Sequence, residues 1–290
     1  MRSQKEAVRD LQIAYIGGGS RGWAWTFMGD LALEPQLAGT IRLYDIDREA
    51  AEHNAVIGNR YSALPGAVGE WKYRAVDSLQ EALTGADFVV ISILPGTFEE
   101  MRSDVHEPEK YGIYQSVGDT VGPGGLVRAL RSIPQIAEIA AAVRDFAPDA
   151  WVINYTNPMT LCVRTLYEIF PQIKAFGCCH EGFGTEKLLC AMIEDSLGVS
   201  GVKRNELDVT VTGINHFTWL TRASWNGMDL YPVYRAFAEK YYESGFTDTP
   251  EKDWRTDTFA YRNRVKFDLF LRYGAIAAAG DRHLAEFCPP

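Results

Sequence analysis

The stretch "LQIAYIGGGSRGWAWTFMGDLAL" (11–33) limits what this chain can fold into more than any other. An apolar run of strand length turns on Gly17, Gly19 and Gly22, then continues with helix-compatible spacing. Those glycines fit G-x-G-x-x-G. The first makes a tight turn, the second lets backbone approach a pyrophosphate, and the third lets helix pack on strand, with the phosphate at the helix N-terminus. Ser20 and Arg21 complete the loop. The next apolar run, "TIRLYDID", ends in acid. Asp45 lies about twenty residues past the loop, where a carboxylate can accept from a ribose hydroxyl. The pattern predicts a dinucleotide site built on Gly17, Gly19, Ser20, Arg21, Gly22 and Asp45. An acid at the strand end favours NAD over NADP. The alternative reading is a glycine-rich turn that holds no ligand.

Three more apolar runs follow: "ADFVVISILPG" (86–96), "DAWVINYTNPMT" (149–160) and "IKAFGCCHEG" (173–182). The first is continuous and β-branched, as a strand buried on both faces should be. Between them, "GGLVRALRSIPQIAEIAAAVRDFAP" and "MTLCVRTLYEIFP" have helical spacing with prolines near their ends. Alternating strands and helices predict an α/β fold, a Rossmann-like doubly wound parallel sheet. Strand carboxyl ends in such a sheet face the ligand crevice. Pro95, Asn154, Asn157, Cys179 and His180 all fall at such ends, and Pro95, Asn154 and Asn157 are candidates for contact with the cofactor. Asn157 also suits an Asx turn that caps the next helix.

Composition narrows the partners. The 290 residues are 47% hydrophobic and 23% charged, with a net charge of −9. No stretch clusters Lys and Arg, so nucleic acid and anionic membranes are poor partners. No apolar run approaches the roughly 18 residues of a spanning helix. The first residues lack the h-region of a signal peptide. Five cysteines, odd in number and scattered, do not form a secreted disulfide pattern. Reduced thiols in the cytoplasm are the expectation. For "GCCHEGFG" (177–184), spacing alone leaves open a metal site, a nucleophile and a tight turn.

The order of "IGGGSRGW", "GDTVGPGGLVRALRSIP" (118–134), "NYTNPM" (154–159), "CHEG" (179–182) and "GINHFTW" (213–219) resembles glycoside hydrolase family 4, the NAD- and manganese-dependent glycosidases. The resemblance runs through nearly the whole chain. It implies hydrolysis of an O-glycosidic bond by oxidation at sugar C3, deprotonation at C2, elimination at C1, addition of water and re-reduction at C3. It implies NAD and Mn2+, or another divalent metal, as cofactors. It also implies Cys179 and His216 as metal ligands, with Asn157 touching both sugar and nicotinamide. The "CHE" pattern looks closest to the α-galacturonidases and related α-glycosidases. His180 is then a candidate acid, and His180 and Glu181 are candidate substrate contacts. A uronate would need a cation nearby, for which Arg21, Arg131 and Arg282 are candidates.

Family members take their base from a Tyr or Asp after the metal histidine. Here "RYGAIAAAGDRHLAEF" (272–287) offers Asp281 first and His283 second, with Tyr273 expected to pack in a helix. The family further implies a carbohydrate-binding homo-oligomer. It implies a cofactor domain over 1–195 and an α+β substrate and metal domain over 196–290, the latter incomplete because family chains are considerably longer. Two other activities fit the same loop. One is an NAD-dependent dehydrogenase of sugar acids or hydroxy acids, and the other a non-catalytic NAD-binding fragment.

Overall fold

The computed structural model describes residues 7–248, 253 and 260–288. Its contacts divide the chain into two units. One comprises Met1–Met101 and Val127–Cys178, the other Arg102–Leu126 and Cys179–Pro290.

The first unit holds a six-stranded parallel sheet. Its strands are β1 (Val8–Ile16), β2 (Leu37–Tyr44), β3 (Glu70–Ala75), β4 (Phe88–Ile91), β5 (Trp151–Asn154) and β6 (Lys174–Gly177), in the order β3-β2-β1-β4-β5-β6. That is the doubly wound order, and its direction reverses between β1 and β4. The continuous apolar run predicted as a strand is β4, with Val89, Val90 and Ile91 all buried. The sequence reading misses β3. Trp71 and Tyr73 face inward while Glu70, Lys72 and Arg74 are exposed, which is the two-residue alternation of an edge strand. Its helices are α1 (Trp23–Ala32), α2 (Arg48–Ser62), α3 (Leu79–Leu83) and α6 (Met159–Ile169). Helices α4 (Phe98–His106) and α5 (Gly122–Phe146) give residues to both units. Pro134 lies inside α5 rather than near its end.

The second unit is α+β. Strands β7 (Leu207–Ile214) and β8 (Phe217–Trp225) form an antiparallel hairpin. β10 (Ile276–Ala277) and the short β9 (Met228–Asp229) also pair with β8. Helices α7 (Glu181–Leu197), α8 (Tyr231–Tyr241), α9 (Arg264–Tyr273) and α10 (Asp281–Phe287) complete it. The expected boundary at 195/196 is not where the contacts divide. Leu188, Leu189, Met192 and Ile193 of α7 share a core with Leu220, Tyr234, Phe237 and Phe267. The apolar face of α7 therefore places this helix with the second unit.

Candidate cofactor loop and metal centre

The glycine loop leaves β1 with Gly17 at φ +95, the left-handed turn that glycine favours. A Cβ there would lie 2.1 Å from the Ser92 carbonyl oxygen. One added at Gly19 would press on Ala50 and on the Asp45 carboxylate. Gly22 caps α1 with no side-chain hydrogen bond, and a Cβ there would meet nothing within 4 Å. The expectation that Gly22 permits helix–strand packing is therefore corrected, because close packing falls on Gly17 to Gly19 while Gly22 faces open space. Asn54 braces the loop. Its Nδ2 donates to the carbonyls of Gly18 at 2.7 Å and Ser20 at 2.9 Å. Asp45 accepts from the Gly19 amide at 2.8 Å and from the Asp47 amide at 3.0 Å. Its carboxylate thus sits on the loop itself.

The ends of β4 and β5 are also tied down. Asn154 is fully buried, its Nδ2 donating to the Thr156 carbonyl and its Oδ1 accepting the Thr156 amide. That amide shapes the turn after β5. Asn157 precedes Pro158 in a cis peptide, and its carbonyl accepts from Ser132 Oγ at 3.4 Å. The Pro95 carbonyl accepts from Arg131 Nε at 3.4 Å.

The second unit brings Asp119, His216 and His283 together. Among the described residues these three offer ligand atoms that all lie within 4.8 Å of one another, and all three are buried. His216 occupies the two-residue turn between β7 and β8 at φ +64, a conformation a non-glycine residue holds at a cost of about 1–3 kcal/mol. Strain of that kind persists where the surroundings fix it. His216 Nδ1 donates to Thr120 Oγ1 at 2.7 Å, and Thr120 in turn donates to Asp119 Oδ1 at 2.6 Å. Asp119 also lies 3.6 Å from the same nitrogen. A carboxylate on the inner nitrogen is the usual way a metal-binding imidazole is oriented, with its other nitrogen left for a cation. Cys179 hydrogen-bonds His216 as well.

The rings of His216 and His283 stack at 3.5 Å between centroids, tilted by 16°. Their acidities part in opposite directions. Burial pulls the His216 imidazole down, but its bonds to Asp119 and Cys179 outweigh this and push it up to about 9. Burial, joined by the charge on His216, lowers His283 to about 4. Burial would raise Asp119, yet the bond to His216 and its charge hold the carboxyl well below the usual range. His283 Nδ1 is buried with no hydrogen-bond partner, an orphaned group of the kind that an ordered water or an ion can satisfy.

Helix α10 assembles this centre. Glu286 accepts the amides of Val117 and of Gly118, the latter at 2.7 Å, while Ser116 Oγ donates to the Arg282 carbonyl. These bonds bring Asp119 and His283 to one place. Glu181, at the start of α7, is buried and accepts the Gly280 amide and the Tyr261 hydroxyl, the latter at 2.9 Å. Glu181 Oε1 also lies 3.9 Å from His180 Nε2 and 4.0 Å from His283 Nε2. Tyr261 lies against Gly280, where a Cβ would sit 2.4 Å from the ring. Burial, reinforced by Glu181, raises the phenol and keeps it protonated.

Cys179 and His216 are brought together as expected of a ligand pair, and Asp119 joins them unforeseen. His283, expected as a base, lies with Asp119 and His216 among the groups that could hold a metal. Asp281, the first-ranked base, does not project from a flexible "AAAG". Ala277, Ala278 and Ala279 are fully buried, and Asp281 Oδ1 accepts the Lys266 amide at the start of α9 at 3.1 Å. Glu181 is engaged by Tyr261 and Gly280 rather than open to a sugar. Tyr273 lies in α9 but is 67% exposed rather than packed. His180 keeps a half-exposed imidazole, and Arg282 lies between Asp281 and His283 on α10. Sequence reasoning missed Tyr261, which precedes α9 in "AYRN", and nothing local marks it.

A doubly wound sheet with a phosphate-type glycine loop, in a chain whose α+β unit holds a buried histidine–carboxylate cluster, defines a Rossmann-like class of fold with a candidate metal centre. The comparisons give the family. Residues 12–195 match the family 4 glycosyl hydrolase model, and residues 211–288 match its C-terminal domain. The chain belongs to family 4 of the glycosyl hydrolases. It is 63% identical over 289 residues to an α-galacturonidase of Thermoanaerobacterium saccharolyticum, covering 100% of this chain and 62% of that protein. It is 56% identical to the α-galacturonidase of Bacillus subtilis, covering 96% and 61%. The crystal structure of lplD from Bacillus subtilis, which carries a provisional glucosidase name, superposes with a TM-score of 0.92 at 55% identity, over 98% of this chain and 64% of that one. A 6-phospho-α-glucosidase from gut microorganisms, solved with NAD and Mn2+, shares the fold at 23% identity and a TM-score of 0.76, over 97% and 61%. The chain thus spans about three fifths of the length of the curated relatives it matches.

Proposed function

We propose that this chain carries the cofactor and metal residues of an NAD- and Mn2+-dependent α-galacturonidase. The observation that carries the reading is the buried group Asp119, His216 and His283 with Cys179 on His216. Imidazole and thiol suit a borderline divalent ion, with the Asp119 carboxylate orienting His216, and the partnerless His283 Nδ1 is what a missing ligand would satisfy. The relatives' names supply the substrate class. The loop from Gly17 to Gly22 would hold the dinucleotide, with Asp45 on its ribose. When bound, NAD+ supplies a hydride acceptor for a sugar carbon, and the divalent cation polarises sugar oxygens as a Lewis acid.

The chain's own residues do the rest. Asp119 and Thr120 hold His216 with its inner N–H fixed. Tyr261 takes the base role first assigned to Asp281. Because its phenol is held protonated, it can serve only if Glu181 Oε1, 2.9 Å from the hydroxyl, takes up the phenol proton as a carbon-bound one is accepted. Asp281 supports α9 instead. His180 protonates the leaving oxygen, Arg282 pairs with the uronate carboxylate, and Asn157 contacts the sugar. The same reading makes the protein a homo-oligomer and cytoplasmic. Among the described residues no helix is long and apolar enough to cross a membrane.

The test is incubation with NAD+, Mn2+, a thiol reductant and an aryl α-galacturonide, following aglycone and absorbance at the NADH wavelength together. Aglycone release without net NADH is the expected result. Stoichiometric NADH without cleavage would point to a dehydrogenase. Neither, with NAD+ still bound, would point to a non-catalytic module.

A further inference from the structure

Lys266 is the least expected residue of the second unit. It is a lysine only 2% exposed, on the first turn of α9, and the proposed chemistry does not use it. Its ammonium donates to Thr185 Oγ1 at 2.8 Å, and the Thr185 hydroxyl donates to the Ala278 carbonyl at 2.9 Å. An ammonium can only donate, so it fixes the hydroxyl as acceptor on one side and as donor on the other. The backbone amide of the same lysine donates to Asp281 Oδ1 at 3.1 Å. One residue therefore brackets 278–281 from both ends, by side chain at Ala278 and by backbone at Asp281.

That tetrapeptide leads straight into the centre. Gly280 gives its amide to Glu181, and His283 follows two residues after Asp281. Thr185 lies one turn along α7 from Glu181. Helix α7 and the tetrapeptide are thus joined twice, at Glu181–Gly280 and at Thr185–Ala278. A buried ammonium is costly to keep: burial pulls Lys266 toward neutrality, while Asp281, Glu181 and Asp248 oppose that. A plain apolar side chain would fill the same space without that cost, and such replacements are often neutral or stabilising.

We propose that Lys266 is a positioning residue which, through Thr185, fixes segment 278–283 so that His283 meets His216 and Asp119 in a geometry fit for a divalent cation. The inference rests on the metal reading above. It is tested by titrating Mn2+ into the whole chain, read by calorimetry and by the loss of free-Mn2+ electron resonance signal. Lys266→Met and Thr185→Val are each expected to weaken Mn2+ binding about tenfold, the lower end for residues that orient a metal ligand. The double variant should be no weaker than either single one, since both break one relay. Thr185→Ser keeps the hydroxyl and should bind as the parent does, and NAD+ affinity should be the same in all four. Parent-like Mn2+ binding by Lys266→Met and Thr185→Val would overturn the inference, as would weak binding by Thr185→Ser. Should Lys266→Met not fold, the Thr185 pair decides alone. A parent chain that takes up no Mn2+ would instead sink the metal reading itself.

Discussion

The two candidate sites are built in opposite ways. The glycine loop lies within residues 17–45 and works mainly through backbone: a left-handed Gly17, a braced loop, and an α1 N-terminus without a side-chain cap. The metal centre draws Asp119, Cys179, His216 and His283 from four separate places in the chain and works through side chains. Glycines in the loop answer to sterics that neighbouring residues already dictate. Residues in the candidate metal centre answer to partners far along the chain, from Cys179 and His216 to the more distant Asp119 and His283. Damage should differ accordingly. The loop should fail through strain or blocked approach, and the centre through lost orientation of an intact fold.

The largest effect should come from Gly17→Ala. A positive φ and a 2.1 Å approach to the Ser92 carbonyl require backbone movement, at a cost on the order of 2–4 kcal/mol. Thermal melting should show it. A melting temperature like the parent's would mean that the loop relaxes freely and that its shape is not dictated as described.

Next comes Thr120→Val, which removes the hydroxyl between His216 and Asp119. Mn2+ affinity should drop about tenfold with little change in melting temperature. The reverse outcome, a large loss of stability with affinity intact, would make Thr120 a core residue rather than an orienting one.

A smaller effect concerns pH in the metal-free chain. His216 has its folded acidity raised to about 9, so it binds more protons folded than unfolded above about pH 6.5, and stability falls as pH rises through that range. His283 is lowered to about 4, so the unfolded chain binds more protons below about pH 6.5, and stability falls as pH drops. The depressed Asp119 adds a loss at still lower pH. Melting temperature against pH should therefore peak near neutrality, slightly on the acid side. Saturating Mn2+ should flatten the alkaline limb, because the cation replaces the proton on His216. A limb unchanged by Mn2+ would separate His216 from metal binding.

The contrast also explains what could be read beforehand. The strands β1, β2, β4, β5 and β6 announced themselves by apolar runs, and the loop by its glycine spacing. β3 hid because Glu70, Lys72 and Arg74 alternate with its two buried aromatics, so no apolar run forms. Gly22 was legible as a loop residue but not in its reason, since only the fold shows that its Cβ would meet nothing. Cys179 and His216 were found through family motifs. Asp119 stood in plain view within "GDTVGPGG" without any pattern that names it a partner of His216. Asp281 and His283 looked alike on the chain, and helix α10 separates them, turning one onto the start of α9 and the other toward His216. Nor could the sequence show that Lys266 is buried, because lysine on a first helical turn ordinarily faces water.

The central claim is that dinucleotide and metal are held by separate sets of residues. It is tested most directly by titrating NAD+ and Mn2+ separately into the parent chain, Gly22→Ala and His216→Ala. Gly22→Ala adds a methyl in open space, so the fold should hold within about 0.5 kcal/mol while NAD+ affinity falls and Mn2+ affinity stays. His216→Ala should lose Mn2+ by more than about a hundredfold and keep NAD+. If Gly22→Ala binds NAD+ as the parent does, or His216→Ala still takes up Mn2+ with parent-like affinity, the assignment of that site is wrong.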